Sequence, residues 1–248
     1  MIATAIHAGH DLRPSIEARI ALDDATRLRE EDPFTDRLVD LGGSTAVVHR
    51  SRFEVDLNRS RADAFYRVPE DAWGLRLWTQ TPSEAEVEHS LRIYDAFYAE
   101  LAKQIDELAR RGPFLVLDLH SYNHRRDGEF APAAPARENP EVNVGTSSLD
   151  RDRWGPVANR FIDELARQEV SGRRVDVREN VRFRGGELSR WVHGRYDGRG
   201  VALAIEFKKV FMDEWTGAVD LAHLEGLRRA VRTVVPTVLE ELGCRILR

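Results

Sequence analysis

Cysteine is almost absent from this chain: Cys244 is the only one. An internal disulfide is therefore excluded, and so is a metal site built on thiolates. Also missing is any apolar run of the ~18 residues that a membrane span requires. The opening stretch MIATAIHAGHD has no basic segment leading into an apolar signal core, so no membrane partner is expected and a cytoplasmic location is. Basic residues are not gathered into a block; 37 Lys and Arg are scattered against 42 Asp and Glu, for a net charge of -5. A nucleic-acid partner is not expected from that balance. Internal repeats, low-complexity tracts and Pro/Gly-rich linkers are lacking too, which leaves a single domain over residues 1–248 as the expected organisation.

What is present describes a globular chain, 42% hydrophobic and 32% charged. Eight histidines stand out, among them the close pairs His7/His10 and His120/His124. With thiolates excluded, any metal must be held by His, Asp and Glu.

Periodicity alternates between strand and helix. A short strand, Ile2 to Ile6, runs into HAGHDLRP and a helix from about Pro14 to Arg29, with proline suited to the first turn. REEDPFTDRLVDLGG reads as a charged turn and a short helix stopped by Gly42 and Gly43, and STAVVHRSRFEVDLNRSR as one or two strands. Residues 83–111 form the longest helix, with Ser83 and Glu86 as a capping box and Val87, Leu91, Tyr94, Phe97, Leu101, Ile105 and Leu108 along one face. A buried strand, Phe114 to Leu119, ends near His120, and an irregular loop from Arg125 to Asp150 follows. A helix near Trp154–Val170, a strand near Arg174–Glu179, the turn RFRGGELSRW, the buried strand VALAIEF and a closing helix, Leu221–Leu242, complete an α/β layered pattern.

Three apolar strands thus finish in groups able to share a metal or a proton: His7, His120 and Glu206. A single His or Glu at a strand end is usually a surface or loop-anchoring residue. Three on the same edge of a mostly parallel sheet can converge, because ligands gather at the carboxyl ends of such strands. Two histidines and one acid fill the donor set of a hydrolytic zinc, and Glu206 is then available as a general base.

HAGH, EEDPFTDRL, SRFEVDLNR, LDLHSYNH, NVGT, RFRGGELSR and LAIEF, in that order, resemble the motif series of the N-formylglutamate amidohydrolase family of zinc carboxypeptidase-like hydrolases. The resemblance spans His7 to Glu206. It implies a three-layer α/β/α fold around a central mixed, mostly parallel sheet, one Zn²⁺ per chain, and hydrolysis of an N-acyl amino acid, N-formyl-L-glutamate being the named substrate. It further implies His7 and His120 as metal ligands, with either Asp32 or His10 as the third and Asp32 preferred. Glu206 is implied as general base and Arg52 as the cation that polarises the scissile carbonyl. Asn58 and Arg59 are implied as the α-carboxylate clamp, with Arg184, Gly186 and Asn143 as further substrate contacts. The chain departs from the family at His10 and at residues 64–78, where Trp73 and Trp78 line a wider pocket or simply pack in the core. A carboxypeptidase-type peptidase and an inactive binding protein of the same fold are the competing functions.

Overall fold

Each expected buried strand lies in one sheet, and the computed structural model describes residues 1–244. In chain order the elements are β1 (Ile2–Ala5), α1 (Pro14–Glu17), α2 (Asp24–Glu30), β2 (Ser44–Val47), α3 (Glu84–Arg111), β3 (Phe114–Tyr122), β4 (Val142–Gly145) and α4 (Arg151–Ala166). The hairpin of β5 (Glu169–Val170) and β6 (Arg173–Arg174), then β7 (Val177–Glu179), α5 (Glu187–Arg195), β8 (Gly200–Lys208) and α6 (Leu221–Cys244) follow. The sheet order is β2-β1-β3-β8-β4-β7. All neighbours run parallel except β4, which is antiparallel to β8. Among the described residues no helix is long and apolar enough to cross a membrane.

Side chains of a strand alternate between faces, and here the alternation separates two cores. Leu115, Leu117 and Leu119 of β3, with Val201, Leu203, Ile205 and Phe207 of β8, pack among residues of α4 and α6. Phe114 and Val116, with Ala202, pack among residues of α3 and α5. Helices therefore cover both faces, giving the three layers implied above. The same alternation assigns Asp118, His120 and Glu206 to the side of Phe114, Val116 and Ala202. In the β3–β8 ladder His120 is the direct partner of Glu206, so their side chains stand next to one another.

Four expectations on secondary structure need correction. β3 and β8 run past His120 and Glu206 to Tyr122 and Lys208, so both groups stand inside strands rather than at their ends. The helix expected from Pro14 to Arg29 is two short ones, because the chain between them is extended: Ala21 N–H donates to Leu77 O at 2.7 Å and Asp23 starts a new helix by accepting from Thr26 N–H at 2.7 Å. Only Ser44–Val47 of the expected strand region is strand. Beyond it, side chains compete for the backbone, Ser51 Oγ accepting from Phe53 N–H and Asp56 Oδ1 from Asn58 N–H, and they impose turns. Finally, the stretch 125–150 is not all loop, since it contributes β4 to the sheet between β8 and β7.

Candidate metal centre and active-site pocket

The turn after β1, the second residue beyond α2 and the middle of the sheet supply the three side chains at the centre. His7 follows β1, and its carbonyl accepts from Asp32 N–H at 3.0 Å, which brings the α2 exit against the β1 exit. Pro33 and a left-handed Phe34 (φ 67°) turn the chain away, while Thr35 Oγ1 donates to Asp32 O at 2.7 Å. His7, Asp32 and His120 are almost fully buried, and one donor atom from each lies within 4.8 Å of the others. Asp32 Oδ2 is 3.4 Å from His7 Nδ1 and 2.9 Å from His120 Nδ1.

The outward nitrogens each meet a carboxylate. His7 Nε2 meets Asp56 Oδ1 at 2.7 Å and His120 Nε2 meets Asp118 Oδ2 at 2.9 Å. Each carboxylate faces an Nε2, which turns the Nδ1 of each ring inward, as in carboxylate–histidine–metal arrangements; on His120 that nitrogen faces Asp32 and must give up its proton before it can ligate. Asp118 is fixed in turn by Thr4 Oγ1, 2.6 Å from its other oxygen. Asp56 also accepts from Arg52 Nη2 at 2.8 Å and from the Tyr66 hydroxyl. His7 Nδ1 is buried with no hydrogen-bond partner. An orphaned lone pair beside a second imidazole and a carboxylate fits a divalent cation of the zinc type. Burial opposes charge on both partners, yet mutual attraction wins: His120 and His7 hold Asp32 well below the usual carboxylate range, and Asp118 and Asp32 hold the His120 imidazolium well above its ordinary value.

These groups form the floor of a pocket of about 250 Å³ that Glu206 also lines. That is below the ~300–1,000 Å³ of drug-sized ligand sites, so the pocket suits a small substrate. Burial, helped by Asp32 and resisted by His120, pushes Glu206 up to about 7. Such a carboxylate exchanges a proton near neutrality.

Of the expected substrate contacts, Arg52, Asn58, Arg59, Arg184 and Gly186 all line the pocket. The Arg52 guanidinium lies over Trp73, 4.7 Å from the ring centroid, and its Nε is buried without a partner. Arg59 lies over Tyr66 and donates to Asp71 O at 2.6 Å. Asn58 sits against His120, its Nδ2 3.3 Å from Nε2, and its Oδ1 accepts from Leu188 N–H at 3.1 Å. Gly186 is required for close approach, because a Cβ there would collide with the Asn58 amide. The Arg184 guanidinium has no hydrogen bond or ion pair among the described residues.

Two expected residues fall elsewhere. Asn143 does not line the pocket; it is fully buried on β4, accepting from Arg182 N–H at 2.8 Å and donating to Phe183 O at 2.8 Å. It thus holds the backbone of the pocket-lining Phe183 from behind. His10 is outside the donor cluster, with Nδ1 2.5 Å from Glu31 Oε2 and Nε2 2.8 Å from an Arg27 nitrogen, so both its nitrogens are engaged away from His7. Between the tryptophans, Trp73 lines the pocket at 48% exposure, whereas Trp78 is buried and stacked on Phe65.

Sequence reasoning missed Asp56, Asp118, Lys209 and Arg126. Asp118 was accessible, since a residue two before His120 shares its face of the strand. Asp56 was not, because its partner His7 is 49 positions away. Lys209 is buried at the pocket edge, where burial brings it down to about 8, so it stays protonated at neutral pH.

Comparison with known proteins gives a consistent result. The family model for N-formylglutamate amidohydrolase matches residues 1–212. The N-formylglutamate deformylase of Pseudomonas aeruginosa is 28% identical over 260 aligned positions, covering 95% of this chain and 90% of the relative. The crystal structure of an N-formylglutamate amidohydrolase from Ralstonia eutropha JMP134 superposes with a TM-score of 0.71 at 16% identity, covering 98% of this chain and 93% of that one. A gene product of Agrobacterium tumefaciens superposes with a TM-score of 0.66, also at 16% identity, over 98% of this chain and 91% of its own.

Proposed function

The chain belongs to the N-formylglutamate amidohydrolase family, and from that membership and the pocket geometry we propose that it is a metal-dependent amidohydrolase converting N-formyl-L-glutamate to formate and L-glutamate. The observation that carries the reading is the convergence of His7, Asp32 and His120 beside Glu206. Those three residues would hold a Zn²⁺, which when bound acidifies a water and polarises the scissile carbonyl.

The remaining chemistry belongs to the chain's own side chains. Glu206 removes a proton from the attacking water as the C–O bond forms, and returns it to the amide nitrogen as the C–N bond breaks. Arg52 presents its unpartnered Nε where negative charge develops on the carbonyl oxygen, a donor that is pre-oriented by Asp56 and Trp73. Arg59 receives the α-carboxylate with Asn58 beside it, and Arg184, with no partner of its own, meets the side-chain carboxylate from the Gly185–Gly186 wall. Asp56 and Asp118 keep the two imidazoles in one tautomer throughout.

The test is a metal analysis of the purified protein joined to product release from N-formyl, N-acetyl and dipeptide substrates, with a chelator control. Stoichiometric zinc and chelator-sensitive formate release are expected. Preferential cleavage of dipeptides would transfer the protein to the carboxypeptidase-type reaction, and turnover that survives complete metal removal would sink the metal-dependent reading.

A further inference from the structure

Lys209 is a buried cation with no part in the chemistry above. It follows β8 directly, three residues after Glu206, and is only 1% exposed. Its backbone N–H donates to Tyr122 O at 3.0 Å, which extends the β3–β8 pairing past the strands themselves. Its Nζ donates to Arg29 O at 2.6 Å and to Glu31 O at 2.7 Å. These carbonyls belong to the last turn of α2 and the residue after it, immediately ahead of Asp32. Helix ends leave carbonyls without intrahelical partners, and the negative end of the helix dipole favours a cation there.

Other restraints on this segment come from the β1 side and the turns beyond it. Asp32 N–H reaches His7 O, Thr35 holds Asp32 O, and the Glu31 carboxylate takes the Ser51 hydroxyl and His10. Lys209 ties the segment instead to β8, which carries Glu206. The ammonium thus joins the chain segment of the one carboxylate in the donor set to the strand that carries Glu206.

We propose that Lys209 is a positioning residue that holds the Glu31–Asp32 segment against β8 and so sets the separation between the metal-donor carboxylate and the Glu206 base. The proposal rests on the metal-dependent reading given above. A lysine that merely capped α2 would contribute to folding stability and leave metal affinity and turnover alone.

Lys209→Met keeps an unbranched apolar stem, one atom shorter, and removes the charge and donors; Lys209→Gln, equally one atom shorter and without the charge, decides the matter if the methionine variant does not fold. Zn²⁺ affinity is measured by competition with a chelator, together with kcat and KM for N-formyl-L-glutamate and the unfolding midpoint of the metal-free protein. The expected result is metal binding weakened roughly 10- to 100-fold and a lower kcat at saturating metal, with KM within about twofold of wild type. Wild-type metal affinity and kcat in the folded variant overturn the proposal, whatever happens to the midpoint. A wild-type protein that neither takes up zinc nor releases formate would instead overturn the underlying reading, so the two failures are distinguishable.

Discussion

Glu206→Gln perturbs the site with little change in shape. Carboxylate and amide are close in size, Glu206 is not among the three converging donors, and its backbone is locked in β8 opposite His120. Metal stoichiometry should therefore be retained. What disappears is a proton acceptor that burial has raised to about 7. A positioned general base contributes about 10²–10⁴-fold, or about 3–5 kcal/mol of transition-state stabilisation. Formate release at saturating substrate should fall by that factor, with KM within about twofold. A second readout uses chelator-treated protein. Because the folded-state pKa of Glu206 lies above its unfolded value, the native state binds the proton more tightly, and the stability this gives is complete below about 4.5 and lost as pH rises to about 7. Replacing the carboxylate removes that loss, so metal-free Glu206→Gln should gain on the order of 2 kcal/mol over wild type at pH 8 relative to pH 4.5, after discounting for the solvent in the pocket. A fully metallated variant whose kcat stays within threefold of wild type would refute the assignment of the base.

Two further outcomes follow from the same geometry. In the metal-free protein Asp118 and Asp32 hold the His120 imidazolium well above its ordinary range against the opposing effect of burial, so metal uptake must displace a proton. Apparent zinc affinity should then climb about tenfold per pH unit up to that raised value, and pH-independent uptake in a competition titration between pH 6 and 8 would contradict the protonation state given for His120. Arg59→Ala removes a charge-assisted hydrogen bond worth about 1.5–3 kcal/mol, so KM should rise roughly 10- to 150-fold while kcat changes far less; steady-state kinetics with an unaltered KM would place the carboxylate clamp elsewhere.

Much of the architecture was legible because it depends on local pattern. The apolar runs at Phe114–Leu119 and VALAIEF carry the composition of doubly covered strands, and both are central in the sheet. Ser83 and Glu86 announced the start of α3 and do form a reciprocal cap. β4 was hidden because four residues, VNVG, are too few to show a period, and its place in the sheet comes from pairing with β8 and β7. The choice between Asp32 and His10 was equally hidden, since spacing along the chain says nothing about which way an imidazole turns once a glutamate such as Glu31 is within reach.

By itself the sequence determined the alternation of strand and helix, the exclusion of an internal disulfide and of a thiolate-built metal site, and a short set of histidines, acids and arginines from which a hydrolytic site can be assembled. These are properties of residue type and of periods of two and 3.6, and they need no partner in space. Only the tertiary structure decided that Asp32 joins His7 and His120, that Asp56 and Asp118 stand behind the imidazoles, that the Asn143 amide is turned to the backbone of Arg182 and Phe183, and that a buried Lys209 donates to the segment leading to Asp32. Each of these depends on contacts between residues far apart in the chain, or on which way a side chain turns, and such contacts are fixed by strand order, register and packing, which leave no trace in local composition.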